Sequence, residues 1–440
     1  MKATVHPGRL SGRVAIPGSK SHTIRALLVA SLAAGESLIR GALDSEDTAA
    51  CIRILRDLGV KIDDTAPGGT APGRKPGDGL ALRVVGRSGV FDAPAHPLDC
   101  ANSGTTLYLA LSLAALQGFP VSFTGDEQLQ RRSAGPLLRA LESAGARVTR
   151  EGTGDCVPLT VRGPLEGGEV VVECPTSQYL SSLLLAAPLS KRGLDIRVPL
   201  LNERPYVELT LSWLESQSIA YSRDGWDRFT VPGGQAYRAF DRLVPADFSS
   251  ATFFLVAGAL SNSPLEITGL DMNDSQGDRG VVRVLERLGC RVNVDGQLLT
   301  IAGPAADEPP LAGGDVDLNA MPDALPALAV LGTRCATPLR LVNVPQAREK
   351  ETDRIAVMAR AITTLGGRAE ELPDGLVVHP SELAGSTVDS AGDHRVAMAL
   401  AIAGLVASAP VTITNAGVAG ITFPGFYEKL AACGARVEEA

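Results

Sequence analysis

The sequence predicts an α/β protein of two domains, each assembled from three copies of one strand–helix unit. Three observations carry that prediction. The 440 residues exceed what a single hydrophobic core ordinarily supports, while 45% hydrophobic and 20% charged residues are normal for a globular chain. One pattern recurs six times: a polar cluster, an apolar helical run, a β-like run, a polar loop and an amphipathic helix closing near Leu-Gly-x-x-Val. The two helical halves of the pattern differ in periodicity. The first is apolar on nearly every face, as a fully buried helix is, and the second only at positions three and four apart, as an outer helix is.

In chain order the buried-helix halves read SKSHTIRALLVASLAAG, ANSGTTLYLALSLAALQG, PTSQYLSSLLLAAPLSKRG, DFSSATFFLVAGALSNS, MPDALPALAVLGT and GDHRVAMALAIAGLVAS. Each is followed by alternating β-branched positions that predict a strand, as in SLIRGAL, PVSFTG, LDIRVP, PLEITG, PLRLVN and PVTITN, and then by an outer helix. Gly59, Gly145, Gly289, Gly366 and Gly434 stand where a left-handed C-terminal cap ends that helix; only the third unit lacks the glycine. Three repeats per domain put the break between residues 236 and 246, giving an N-terminal lobe over 19–240 and a C-terminal lobe over 241–440. The strand-like KATVHPGRLSGRVAI precedes the first repeat and is expected to join residues 1–18 to the C-terminal lobe. The Gly/Pro-rich stretches at 65–79 and 303–315 read as surface loops.

A formal net charge of −8 argues against nucleic acid or an anionic membrane as the main partner but leaves small anionic ligands open. The N-terminus has no continuous apolar region. The longest apolar runs, such as VAMALAIAGLVASA, fall short of the ~20 residues of a membrane span, so a cytoplasmic enzyme is expected. Seven cysteines with no CxxC and no short-spaced Cys/His set predict neither a disulfide framework nor a metal site.

The polar mouths of the buried helices carry the chemistry. A buried helix must satisfy its first N–H groups, and Ser, Thr, Asn or Asp caps would do so without any function. Lys20, Arg25 and Arg395 exceed what capping needs. With helix dipoles pooled behind them, they suit an anionic ligand. KETDR places Lys350, Glu351 and Arg354 together, which alone reads as a solvated helix face. Asp323 is the single charge ahead of an apolar run, which alone reads as an N-cap, and His394 and Arg395 open the sixth helix.

Taken in order, PGSKSHTIRALL, LDCANSGTT, TSQYLSSLLLAAPL, ERPYVELTL, DFSSATFFL, MPDALPALAVL, KETDRI and DHRVAMALAIAGL resemble the enolpyruvyl transferase family over essentially the whole chain. The resemblance implies a two-domain inside-out α/β barrel, with three βαβαββ units per domain around buried parallel helices. It also implies a monomer without metal or organic cofactor, whose active site lies in the interdomain cleft and is completed by closure. The implied reaction moves the carboxyvinyl group of phosphoenolpyruvate to a hydroxyl of shikimate 3-phosphate and releases phosphate. Carried over by position, Lys20 would touch both substrates. Ser21, Arg25, Thr176, Ser177, Gln178, Tyr206, Asp323, Gln346 and Lys350 would bind the acceptor. Asn102, Gly104, Arg132, Gln178, Arg354 and Arg395 would bind phosphoenolpyruvate. Asp323 would take the hydroxyl proton and Glu351 would protonate the methylene carbon.

Six positions depart from the family pattern. Glu203 replaces a phosphate-binding serine, Thr176 another serine and Gln346 an asparagine, all on the acceptor side; Tyr108 replaces an arginine, Ser133 a proline and Ile421 a lysine. A carboxylate at 203 repels phosphate unless Arg204 compensates it. Two other readings follow: transfer to a different alcohol such as a nucleotide or sugar, and a non-catalytic anion-binding scaffold. The scaffold has no use for Lys20, Asp323, Glu351 and Arg395 at buried helix mouths.

Overall fold

Each repeat becomes a small sheet crossed by one buried helix. The computed structural model describes residues 1–65, 79–152 and 154–440, so the predicted loop at 65–79 lies outside the described residues except for its two ends. The chain divides into two units, Lys20–Val244 and Met1–Ser19 with Pro245–Ala440.

In Lys20–Val244 the second repeat shows the plan. Strands Leu98–Asp99 and Val121–Thr124 run parallel, and parallel neighbours need a crossover, here the helix Gly104–Ala115. The hairpin Arg147–Arg150/Leu159–Arg162 then adds antiparallel to Val121–Thr124. The third repeat repeats this with Gly168–Val171 parallel to Leu194–Arg197 across the helix Gln178–Ala186. The first repeat takes its parallel partners from the far end of the unit, since Tyr237–Arg238 and Asp241–Leu243 both pair with Ala33–Ala42. That pairing moves the division from the expected 240/241 to 244/245, because residues 241–243 are held in this sheet.

In the other unit the parallel pairs are Gly12–Ala15 with Leu265–Thr268, Gly314–Asp317 with Leu339–Val342, and Thr387–Asp389 with Val411–Thr414. The N-terminal segment therefore forms two strands rather than one: Lys2–Val5 lies antiparallel between Val411–Thr414 and Val437–Glu439, while Gly12–Ala15 joins a different sheet. Its His-Pro-Gly step supplies the break. Residues 304–313 form no helix or strand.

The helices behind these mouths have no solvent face. Phe248–Ala259 is buried at every position, and in Lys20–Leu32 only Lys20 and Ser21 at the mouth are not. Each unit has its own apolar core. In the second, Phe253, Phe254, Phe423 and Phe426 meet with ring centroids 5.5–6.4 Å apart, where truncating one ring costs about 3–5 kcal/mol. All five cap glycines have positive φ, from 83° at Gly366 to 104° at Gly145 and Gly289. In the third unit Ser218 takes the same conformation at φ 57°. The left-handed cap is thus present six times, once without its glycine.

Candidate active site

In the unit built from Met1–Ser19 and Pro245–Ala440, three carboxylates from three segments converge on Arg354. Its side chain is 1% exposed, and its Nη1 donates to Asp323 at 2.7 Å, its Nη2 to Glu351 at 2.7 Å and its Nε to Asp393 at 2.8 Å. Burial pulls the Arg354 pKa down, but Asp393, Glu351 and Asp323 more than offset it and hold the guanidinium well above its usual value. Arg395 reaches the other oxygen of Asp323 at 3.0 Å, so one carboxylate bridges two buried arginines. Asp323 lies in the 3-10 turn Pro322–Ala324, one residue ahead of Ala324, the N-cap of the helix Leu325–Gly332. Each of its two carboxylate oxygens meets an arginine. Lys350 and Glu351 lie in the turn between Pro345–Glu349 and the helix Arg354–Thr364, ahead of the helix rather than on it; Asp353 caps that helix through Ala356 N at 3.0 Å. Gln346, 5% exposed, donates to the Asn319 carbonyl at 3.2 Å.

In Lys20–Val244 the mouths are built mainly from neutral donors. Lys20 Nζ lies 3.0 Å from Asp47, both side chains largely buried. Arg25, 1% exposed, has hydroxyl and carbonyl partners: Nε donates to Thr210 at 2.9 Å, Nη1 to the Ser21 carbonyl at 3.1 Å, and Nη2 to the Tyr206 carbonyl at 3.2 Å and Ser181 at 3.4 Å. It ties its own helix to Gln178–Ala186 and Arg204–Ser216, at the end where Ser21 and Tyr206 lie. Burial lowers its pKa to about 10, a fall opposed in part by Tyr206.

Glu203 stands at the start of Arg204–Ser216 in the left-handed conformation, φ 58° and ψ 41°, and makes no cap for that helix. Its Oε2 instead accepts from Ser177 Oγ at 2.9 Å, Ser177 N at 3.2 Å and Thr176 Oγ1 at 3.2 Å. Compensation by Arg204 is not what the structure shows, because that guanidinium lies over the Trp226 ring, 5.6 Å from its centroid.

The second mouth gathers Asn102, Gly104 and Arg132. Arg132 Nη2 donates to Asn102 Oδ1 at 3.0 Å, and Asn102 Nδ2 donates to Asp126 and Gln128, each at 2.6 Å. A Cβ at Gly104 would stand 3.2 Å from Arg132 Nη1 and 3.9 Å from Gln178 Oε1, so the glycine lets these groups crowd the helix start. Two departures from the family pattern explain each other here. The Tyr108 hydroxyl donates to the Ser133 carbonyl at 3.2 Å, as does Tyr179 at 2.5 Å, and the two rings meet edge to face. Cys100 is fully buried, which pushes its thiol well above the usual range and leaves it no nucleophile.

Buried polar atoms normally find partners. Among the described residues those with none within the protein include Arg395 Nε and Nη1, Gln178 Oε1, Gln346 Oε1 and Thr422 Oγ1; the first three residues, though not Thr422, are ones the sequence assigned to ligands. Donors at Arg395 suit an anion. Sequence reasoning missed two carboxylates. Asp393 binds Arg354 and also caps the helix His394–Val406 through Arg395 N at 2.7 Å, and Asp47 holds Lys20 from the first turn of Glu46–Asp57. Both occupy positions where an acid reads as capping or dipole complement, which hid their second role.

Residues 5–430 match the family described as EPSP synthase (3-phosphoshikimate 1-carboxyvinyltransferase). The 3-phosphoshikimate 1-carboxyvinyltransferases of Ruminiclostridium cellulolyticum and Acetivibrio thermocellus are each 42% identical over 99% of this chain and 99% of their own. The solved EPSP synthase of Acinetobacter baumannii superposes with a TM-score of 0.80 over 100% of both chains at 25% identity.

Proposed function

The chain belongs to the EPSP synthase family and catalyses its reaction, transfer of the enolpyruvyl group of phosphoenolpyruvate to the 5-hydroxyl of shikimate 3-phosphate with release of phosphate; from that premise we propose how its side chains divide the work. Asp323 takes the proton of the attacking hydroxyl as oxygen bonds to the central carbon of phosphoenolpyruvate, and Glu351 delivers a proton to the methylene carbon. Loss of phosphate and of one methyl proton then restores the vinyl group, so a net proton leaves the acceptor and none accumulates on carbon. Arg354 positions both carboxylates with one guanidinium. Its four bonds leave one N–H on Nη1, so it contributes a single donor to phosphoenolpyruvate unless it releases a carboxylate.

Arg132 and Arg395 clamp phosphoenolpyruvate, with Asn102 and the backbone at Gly104. Lys20, held by Asp47, reaches both substrates. Thr176, Ser177, Gln178, Ser21, Tyr206, Gln346 and Lys350 receive the acceptor, with Arg25 fixing the helices that present them. The acid–base pair belongs to the unit of Met1–Ser19 with Pro245–Ala440, and most acceptor groups to Lys20–Val244. A cytoplasmic monomer that engages neither nucleic acid nor membrane belongs to the same proposal.

The observation that supports this assignment best is Asp323, whose two carboxylate oxygens each meet a different buried arginine. The test is phosphate release from phosphoenolpyruvate with shikimate 3-phosphate, shikimate or UMP as acceptor. Turnover with the first and little with the others supports the reading. Preference for UMP or shikimate contradicts it, as does tight anion binding without turnover.

A further inference from the structure

The carboxylate of Glu203 does for the helix Gln178–Ala186 what a bound anion does. Three donors, two hydroxyls and a backbone N–H, converge on its Oε2 at 2.9–3.2 Å, the kind of coordination a phosphate oxygen receives. The residue is 2% exposed, so water does not compete for these bonds. Its backbone conformation is unfavourable for a side chain with a Cβ and serves no cap on its own helix; it carries the carboxylate across to a neighbouring one. Ser177, for its part, makes no cap bond from its own side chain.

We infer that Glu203 is a specificity-determining residue: as an internal anion it holds two of the groups that the proposed function gives to the acceptor, Thr176 and Ser177, whose donors suit a phosphate, and a phosphorylated acceptor binds by displacing it. The inference rests on that assignment of Thr176 and Ser177. Each hydroxyl and each N–H has one hydrogen, so the carboxylate and the phosphate cannot share them, and two anions on one set of donors repel. A shikimate ring without phosphate leaves Glu203 in place. Glu203 therefore narrows the gap in affinity between phosphorylated and unphosphorylated acceptor below what the bare donors would give.

The test is calorimetric binding of shikimate 3-phosphate and of shikimate, without phosphoenolpyruvate, to the wild type, Glu203→Ser and Glu203→Gln. The expected result is a Kd for shikimate 3-phosphate lower by about 10-fold or more in Glu203→Ser, with the shikimate Kd changed less than about twofold, so that the ratio of the two widens. Glu203→Gln, which keeps the size and removes the charge, moves the ratio the same way and stands in should the serine variant fold poorly. An unchanged or weaker Kd for shikimate 3-phosphate overturns the inference. So does a parallel shift of both ligands, the mark of a residue that only caps a helix. Wild-type turnover with shikimate 3-phosphate is read separately: if it persists while the ratio stays constant, the inference fails and the proposed function stands.

Discussion

The two units use one repeat for opposite electrostatics. In Lys20–Val244 the helix mouths present hydroxyls, amides and backbone N–H groups, and the buried Arg25 is met by hydroxyls and carbonyls. In the unit holding Pro245–Ala440 the mouths present carboxylates, and the buried Arg354 is met by Asp323, Glu351 and Asp393. The same residue type at the same depth is thus met by neutral groups in one half and by carboxylates in the other, which the proposed function reads as a binding surface and a proton-transfer cluster. A repeat fixes where side chains meet, and the charges placed there decide what they do.

The comparison is sharpest when the same substitution is made in both units. Arg354→Met leaves three carboxylates around an apolar side chain and is expected to destabilise its unit by about 3–5 kcal/mol in denaturant unfolding. Arg25→Met removes a charge that burial already disfavours and leaves Thr210 and Ser181 bonded to each other at 2.8 Å, so its cost is expected near 1–2 kcal/mol. Equal losses would break the contrast. Next in size, Asp47→Asn weakens the ion pair that holds Lys20 without removing the lysine; kcat is expected to fall about 10-fold with little change in thermal midpoint, and steady-state kinetics beside a melting curve check it. The smallest effect concerns the one cap that lacks glycine. Ser218→Gly is expected to stabilise by about 0.5–1 kcal/mol, because it removes a side chain from the left-handed region, and a fall in stability would show that serine contributes there.

Much of this was legible in one dimension because burial leaves an unmistakable pattern. The all-apolar helices, their polar mouths and the glycine caps could be read directly, and so could the surplus of charge at Lys20, Arg25 and Arg395, whereas Asp323, Glu351 and Arg354 took on a role only through the family resemblance. Less visible were side chains with two jobs. Asp393 caps one helix while binding an arginine from another segment, and nothing in its spacing reports the second contact. Direction was hidden as well. Glu203 was visible as an oddity, but that it turns away from Arg204 toward Ser177 depends on a backbone conformation that sequence does not favour. Tyr108 and Ser133 read as two separate departures until one hydrogen bond joined them.

The central claim is that the carboxylates gathered by Arg354 move the protons of the reaction, and it is tested most directly in deuterium oxide. Wild-type enzyme turning over phosphoenolpyruvate and shikimate 3-phosphate is expected to place deuterium on the vinyl methylene of the product, because a solvent-exchanged acid adds a deuteron to that carbon before a proton is lost. Glu351→Gln, still folded by circular dichroism, is expected to lose both turnover and label by about 100-fold or more. Turnover and labelling within a few-fold of wild type would contradict the account.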